Sequence, residues 1–183
     1  MEKVIGNTNL FAIKIDIIRF KPHLWGKSAL IINNIQLGVF EEENVLAAFI
    51  ISLSRIYSQF NTLWLEELEG LSCKEMFNKI NPFFKDPNSF YNLSELEQEN
   101  IIKYDRFNFH FGENFDDYLI NSVVKANTCK FLWVSNLRKV DATYSDNLIQ
   151  CFDIPLDEIH STIKEFYNII PSEFWPTLIE KLD

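Results

Sequence analysis

The residues 110–120, HFGENFDDYLI, place one imidazole (His110) and three carboxylates (Glu113, Asp116, Asp117) within eight positions. Such a group has the chemistry to hold a metal, to share a proton, or to form an acidic surface that another protein reads. The spacing decides among these. Adjacent residues of a strand point to opposite faces, so Asp116 and Asp117 cannot both aim at one ion if strand pairing has begun there. His110 and Glu113 flank the turn-forming Gly112-Glu113-Asn114 and can converge, but one imidazole and one carboxylate leave a first shell incomplete. No Glu-x-x-His or His-x-His pair supplements them. Turn and strand-edge polarity is the favoured reading, ahead of a metal or acid–base site. Of the other histidines, His23 sits in a loop context, and His160 falls on an apolar helical stripe where a hydrogen-bonded core imidazole is the ordinary expectation. Phosphate-cradling loops, dinucleotide fingerprints, nucleophile elbows and His-Glu-x-x-His helices are absent from the sequence. Nothing in it calls for catalysis, a cofactor or a bound metal.

The elements that must position these residues follow from periodicity. In FAIKIDI, Phe11, Ile13, Ile15 and Ile17 alternate with Ala12, Lys14 and Asp16, which predicts a half-buried strand. ALIINNIQLGVF predicts a hairpin turning on Asn33-Asn34, since asparagine tolerates the left-handed backbone of a tight turn. Gly38 marks a bulge or a close backbone approach in the third strand. The period then changes: Leu46, Phe49, Ile50, Leu53, Ile56, Tyr57 and Phe60 follow helical spacing, with Glu41, Glu42 and Glu43 expected at the helix N-terminus, where negative charge is favoured. Residues 61–103 read as a variable, mostly helical or irregular, insertion-like segment with capping boxes at Ser72/Glu75 and Ser94/Glu97. Strand patterns return at 107–111, 117–124, 129–134 and 147–154, the last two joined by a polar stretch at 135–146. After Pro155, the residues Leu156, Ile159, His160, Ile163, Phe166, Tyr167 and Ile170 predict a second amphipathic helix, and a short helix near Pro176 closes the chain. Runs of strands and helices without strict alternation predict an α+β fold: an antiparallel sheet of about six to seven strands with helices packed mainly on one face. All 183 residues are read as a single domain, one that buries roughly 70% of its extended-chain surface.

Composition limits the partners. Residues 41–119 carry 15 Asp+Glu and 6 Lys+Arg, a balance of −9, and the remaining residues carry 11 of each, so all the formal excess lies in the middle of the chain. That skew disfavours nucleic acid and anionic membrane and favours a basic partner or simple solubility. The N-terminal residues lack the pattern of a signal peptide, and the apolar run VLAAFIISL, nine residues long, falls short of the roughly 20 a membrane helix requires. Cys73, Cys129 and Cys151 are odd in number and show no metal spacing. The expectation is three free thiols in a reducing cytoplasm, with Cys129 and Cys151 as small buried hydrophobes.

The linear order of IGNTNLFAIKIDI, WGKSALIINNIQLGVF, the first amphipathic helix, GENFDDYLINSVV, CKFLWV and IPLDEIHSTIKEF resembles the bacterial immunity protein 42 family of polymorphic toxin systems. The likeness covers roughly residues 4–168 and is weakest at 61–103. Its elements are Gly6 to Ile13, Gly26, the Asn-centred hairpin ending at Gly38, and Phe115-Asp116-Asp117 with Trp133 soon after. The resemblance implies a cytoplasmic neutraliser of a cognate toxin, and it supplies no catalytic residues. The candidate toxin-binding residues are then the acidic ones, Glu41, Glu42, Glu43, Glu66, Glu67, Glu69, Glu113, Asp116 and Asp117, which would steer a basic toxin domain. Two alternatives remain open at this stage: an acidic secretion chaperone that binds an export segment, and a metal-dependent hydrolase built on His110 and Glu113. Open strand edges also admit a homodimer.

Overall fold

The computed structural model describes residues 1–82, 84, 95–135 and 148–174. The nine strands among them fall into two antiparallel sheets that share a core. In the first, β1 (Lys3–Asn7), β2 (Phe11–Arg19), β3 (Trp25–Ile32) and β4 (Ile35–Leu37) run in sequence order, and the two-residue β5 (Asn44–Val45) also pairs with β3. In the second, β6 (Asn108–Phe109), β7 (Tyr118–Lys125), β8 (Thr128–Ser135) and β9 (Gln150–Pro155) form a meander. Four α-helices, with several short 3₁₀ turns, complete the described elements: α1 (Ala47–Ser58), α2 (Cys73–Ile80), α3 (Glu95–Asp105) and α4 (Leu156–Asn168). The α+β class and antiparallel pairing are those expected, with the strands divided between two sheets.

The division has a packing reason. Phe11 and Phe131 are both fully buried and stack with ring centroids 5.7 Å apart, joining β2 to β8 across the core. On β2 the alternation breaks down at its start, where Phe11, Ala12 and Ile13 are all buried, because α4 also packs against β1 and β2. A strand covered on both faces loses its polar side. The β3–β4 hairpin turns on Asn33 and Asn34 with φ of 50° and 61°, the left-handed pair that a tight two-residue turn demands.

Several boundaries differ from expectation. Helix α1 starts at Ala47, and its first turn holds no acidic residue. Asn44–Val45 pairs instead with Trp25–Gly26, and the Leu46 N–H donates to the Leu24 carbonyl at 2.9 Å, so strand pairing holds the residues before the helix. Glu41, Glu42 and Glu43 therefore lie exposed in the connection ahead of β5. The Ser72/Glu75 capping box forms as read: the Ser72 hydroxyl accepts from the Glu75 N–H, and the Glu75 carboxylate accepts from the Ser72 N–H. The second box at Ser94, most of the 135–146 link and the helix near Pro176 lie outside the described residues.

The expectation of three free thiols is corrected. Cys73 and Cys151 form a disulfide with Cα atoms 6.2 Å apart, tying α2 to β9, and only Cys129 is free and buried among the described residues. Their separation of 78 residues carries no spacing signal, since only the tertiary fold brings the two elements together.

Candidate functional site

Four aromatic residues fix the turn that carries Glu113. Phe111 and Phe115 are buried and lie 5.3 Å apart by ring centroids, and Phe49 of α1 sits 5.8 and 5.9 Å from them. Phe166 of α4 packs edge-on to Phe49 at 5.8 Å. Each such pair adds about 0.5–1.5 kcal/mol beyond area burial, so the turn is held to both helices. Polar contacts complete the seating. The Asn114 side chain donates to the Ser28 carbonyl, the Val39 N–H donates to the Asn114 carbonyl at 2.9 Å, and the Ser52 hydroxyl donates to the His110 carbonyl at 2.6 Å. Arg55 lies over the Phe109 ring at 4.9 Å and donates to the carbonyls of Asn108 and Arg106, both at 3.3 Å.

This seating brings the connection before β5 against the 110–116 turn and opens a cleft of about 370 Å³ between them. Glu43 and Glu113 line it together with Trp25, Asn44, His110 and Gly112. Gly112 has φ of 115°, a conformation that L side chains rarely adopt. A short 3₁₀ turn, Glu113–Phe115, follows, and Asp116 is helical in conformation ahead of β7. The two aspartates thus precede the strand: Asp116 is exposed and Asp117 half-buried.

Apart from the half-buried Asp117, the acidic candidates separate into two groups. Glu41, Glu42, Glu43 and Glu113 are exposed, and their carboxylates form no ion pair among the described residues. Asp116 lies beside them, its N–H donating to the Glu113 carbonyl. Glu66, Glu67 and Glu69 sit elsewhere, on and after a 3₁₀ turn at Glu66–Leu68. Two of these are internally paired: Glu67 with Lys103 at 2.7 Å and with the Tyr104 hydroxyl, and Glu69 with Lys125. The Lys103 ammonium, then the Tyr104 hydroxyl, hold the Glu67 carboxyl below its usual range. Burial first, and Glu67 second, push the Tyr104 phenol up.

His110 and Glu113 do share the cleft, yet among the described residues no three His, Cys, Asp or Glu side chains converge as a metal set. His160 differs from the hydrogen-bonded imidazole expected. Its ring packs on Tyr57 and Phe60 at 4.9 and 5.2 Å, and its Nε2 is buried without a hydrogen-bond partner. Burial lowers its pKa from 6.5. The sequence reading missed Trp25 and Asn44, which join the site only through the short β3–β5 pairing.

A family model described as immunity protein 42 matches residues 1–169. The chain belongs to the immunity protein 42 family. It is therefore an immunity protein, a neutraliser of a cognate toxin, and the chaperone alternative is not favoured. A solved structure, titled as CdiI from Burkholderia dolosa AUO158, shares 16% identity and superposes with a TM-score of 0.62 over 91% of this chain and 99% of that one. At that identity the likeness shows the fold. No curated protein sequence matches the chain. For an immunity protein, the geometry above means that the exposed carboxylates of Glu41, Glu42, Glu43 and Glu113 form no ion pair among the described residues, while those of Glu67 and Glu69 are engaged within the fold. Among the described residues no helix is long and apolar enough to cross a membrane.

Proposed function

We propose that this immunity protein acts in the cytoplasm as a stoichiometric inhibitor without chemistry of its own, covering a basic toxin domain with the face that carries Glu41, Glu42, Glu43, Glu113 and Asp116. Membership of the family carries the reading. The charge distribution gives it a physical form: the whole excess of −9 belongs to residues 41–119. Four of these carboxylates lie exposed without an internal cation among the described residues. Clustered charge of one sign raises the encounter rate with a partner of the other. The same sign repels nucleic acid and anionic lipid. The test combines two measurements on the cognate toxin domain. Coexpression should rescue cells from that domain, and calorimetry should give one immunity protein per toxin. Failure to rescue, or protection at far less than one equivalent, overturns the proposal, since the latter requires turnover.

A further inference from the structure

Asn44 is 6% exposed, and neither its amide oxygen nor its amide nitrogen has a hydrogen-bond partner. The Oδ1 of Asn114, a residue 2% exposed, is likewise unpartnered. Buried polar groups are almost always satisfied, so one wholly orphaned amide beside a second unpartnered amide oxygen requires an explanation. They meet at Gly112. A Cβ built there would lie 3.4 Å from the Asn114 Oδ1 and 3.8 Å from the Asn44 Oδ1, so the missing side chain leaves a hollow bounded by both oxygens. Gly112 and Asn44 line the same cleft as Glu43 and Glu113, whose carboxylates are exposed and without a cation among the described residues.

The inventory at the cleft comprises three unpartnered amide atoms, the Asn44 oxygen and nitrogen and the Asn114 oxygen, with two exposed carboxylates lining it, so acceptors outnumber donors. A ligand that answers it must bring several N–H donors and positive charge. A guanidinium does so, with five donors in a flat fork that can serve an amide oxygen and a carboxylate together. An ammonium brings three donors from a single point and answers fewer of these acceptors.

We infer that the cleft between Glu43 and Glu113 is an anchor pocket for an arginine side chain of the toxin, with the Asn44 amide as its specificity contact. The inference rests on the inhibitor reading and deepens it, by naming the side chain that the acidic face receives. Asn44 satisfies nothing inside the fold, so its truncation separates binding from stability.

The test uses the full chain with N-acetyl-arginine amide, N-acetyl-lysine amide and calcium chloride as probes, followed by the side-chain amide resonances of Asn44 and Asn114. The arginine probe should shift both resonances saturably, with the lysine probe at least about fivefold weaker. Glu43→Gln with Glu113→Gln should weaken the arginine probe about tenfold. Asn44→Ala should weaken it as well, while its thermal midpoint stays at or above that of the wild type, because an unsatisfied amide has been removed. Absence of a saturable shift, equal response to lysine, response to calcium alone, or a lowered midpoint in Asn44→Ala would each overturn the pocket; the last would mean the amide is structural. The cell assay keeps the two claims apart. If the wild-type chain fails to protect against the toxin, the inhibitor reading fails; if it protects and Asn44→Ala protects equally at limiting expression, only the arginine pocket fails.

Discussion

Replacing Gly38 by alanine should destabilise the fold by more than its backbone conformation alone predicts. Gly38 has φ of 95°, and a Cβ there would lie 2.8, 2.9 and 3.1 Å from the Cζ, Cε1 and Cε2 of Phe115. That ring cannot simply swing aside, because Phe49, Phe111 and Tyr118 pack around it at 5.9, 5.3 and 6.4 Å. Gly70 supplies the control: its φ is 72°, and a Cβ there would meet nothing within 4 Å. A left-handed alanine costs about 1–2 kcal/mol, offset by about 0.4–1 from the stiffer unfolded chain, so Gly70→Ala should lose about 0.5–1 kcal/mol. Gly38→Ala adds the displacement of a packed ring, about 1–3 kcal/mol more, for a total of about 2–4. Urea titration followed by fluorescence reads both, provided the slope with denaturant is unchanged. The double variant Gly38→Ala with Phe115→Leu removes the three clashing ring atoms. It should therefore fall short of the sum of the single losses by about 1 kcal/mol or more. If Gly38→Ala costs no more than Gly70→Ala, or if the double variant is additive, the seating of the Glu113 turn against β4 is not as described.

Other consequences follow from the same contacts. Removing the cap with Ser72→Ala should cost about 1 kcal/mol in the same titration, and Ser72→Asp should recover most of it. The His160 pKa is depressed by burial, so its contribution to stability is complete above 6.5 and is lost as pH falls below that value through the folded pKa. His160→Phe should accordingly show a shallower fall in stability over that window than the wild type; an identical fall would contradict the burial of the ring. Thiol titration should find no fast-reacting group in the native protein, one after unfolding without reductant (Cys129), and three after reduction. Three without reductant would refute the Cys73–Cys151 bond, whose reduction should lower stability by about 2–4 kcal/mol.

Much of the frame is legible in the sequence because it rests on periodicity. The alternation from Phe11 to Ile17, the Asn33-Asn34 turn and the stripes of α1 and α4 each depend on local spacing alone. Strand β1 escapes that reading because only Ile5 of its five residues is buried, leaving no alternation to detect. The start of α1 is hidden from the sequence because the three glutamates suit a helix N-terminus, whereas pairing of Asn44–Val45 with Trp25–Gly26 claims the residues between. The Cys73–Cys151 bond and the pairing of Glu67 with Lys103 depend on contacts between distant segments that no spacing encodes. The candidate site shows both cases at once. Gly112 and Glu113 are visible as turn chemistry, and the acidic excess is visible as a count. Asn44 looks like any polar residue ahead of a helix until the fold buries its amide without a partner.

The most direct test of the central claim, that an acidic face steers a basic toxin onto this protein, is the association rate constant measured against ionic strength. Surface charges interact over about 10 Å at 0.1 M salt and only about 3 Å at 1 M. Association should slow about tenfold or more between low and high salt while dissociation changes little, and neutralising Glu41, Glu42, Glu43 and Glu113 to glutamine should flatten the dependence. An association rate that is the same at both extremes, or a dependence untouched by the four substitutions, would contradict the claim.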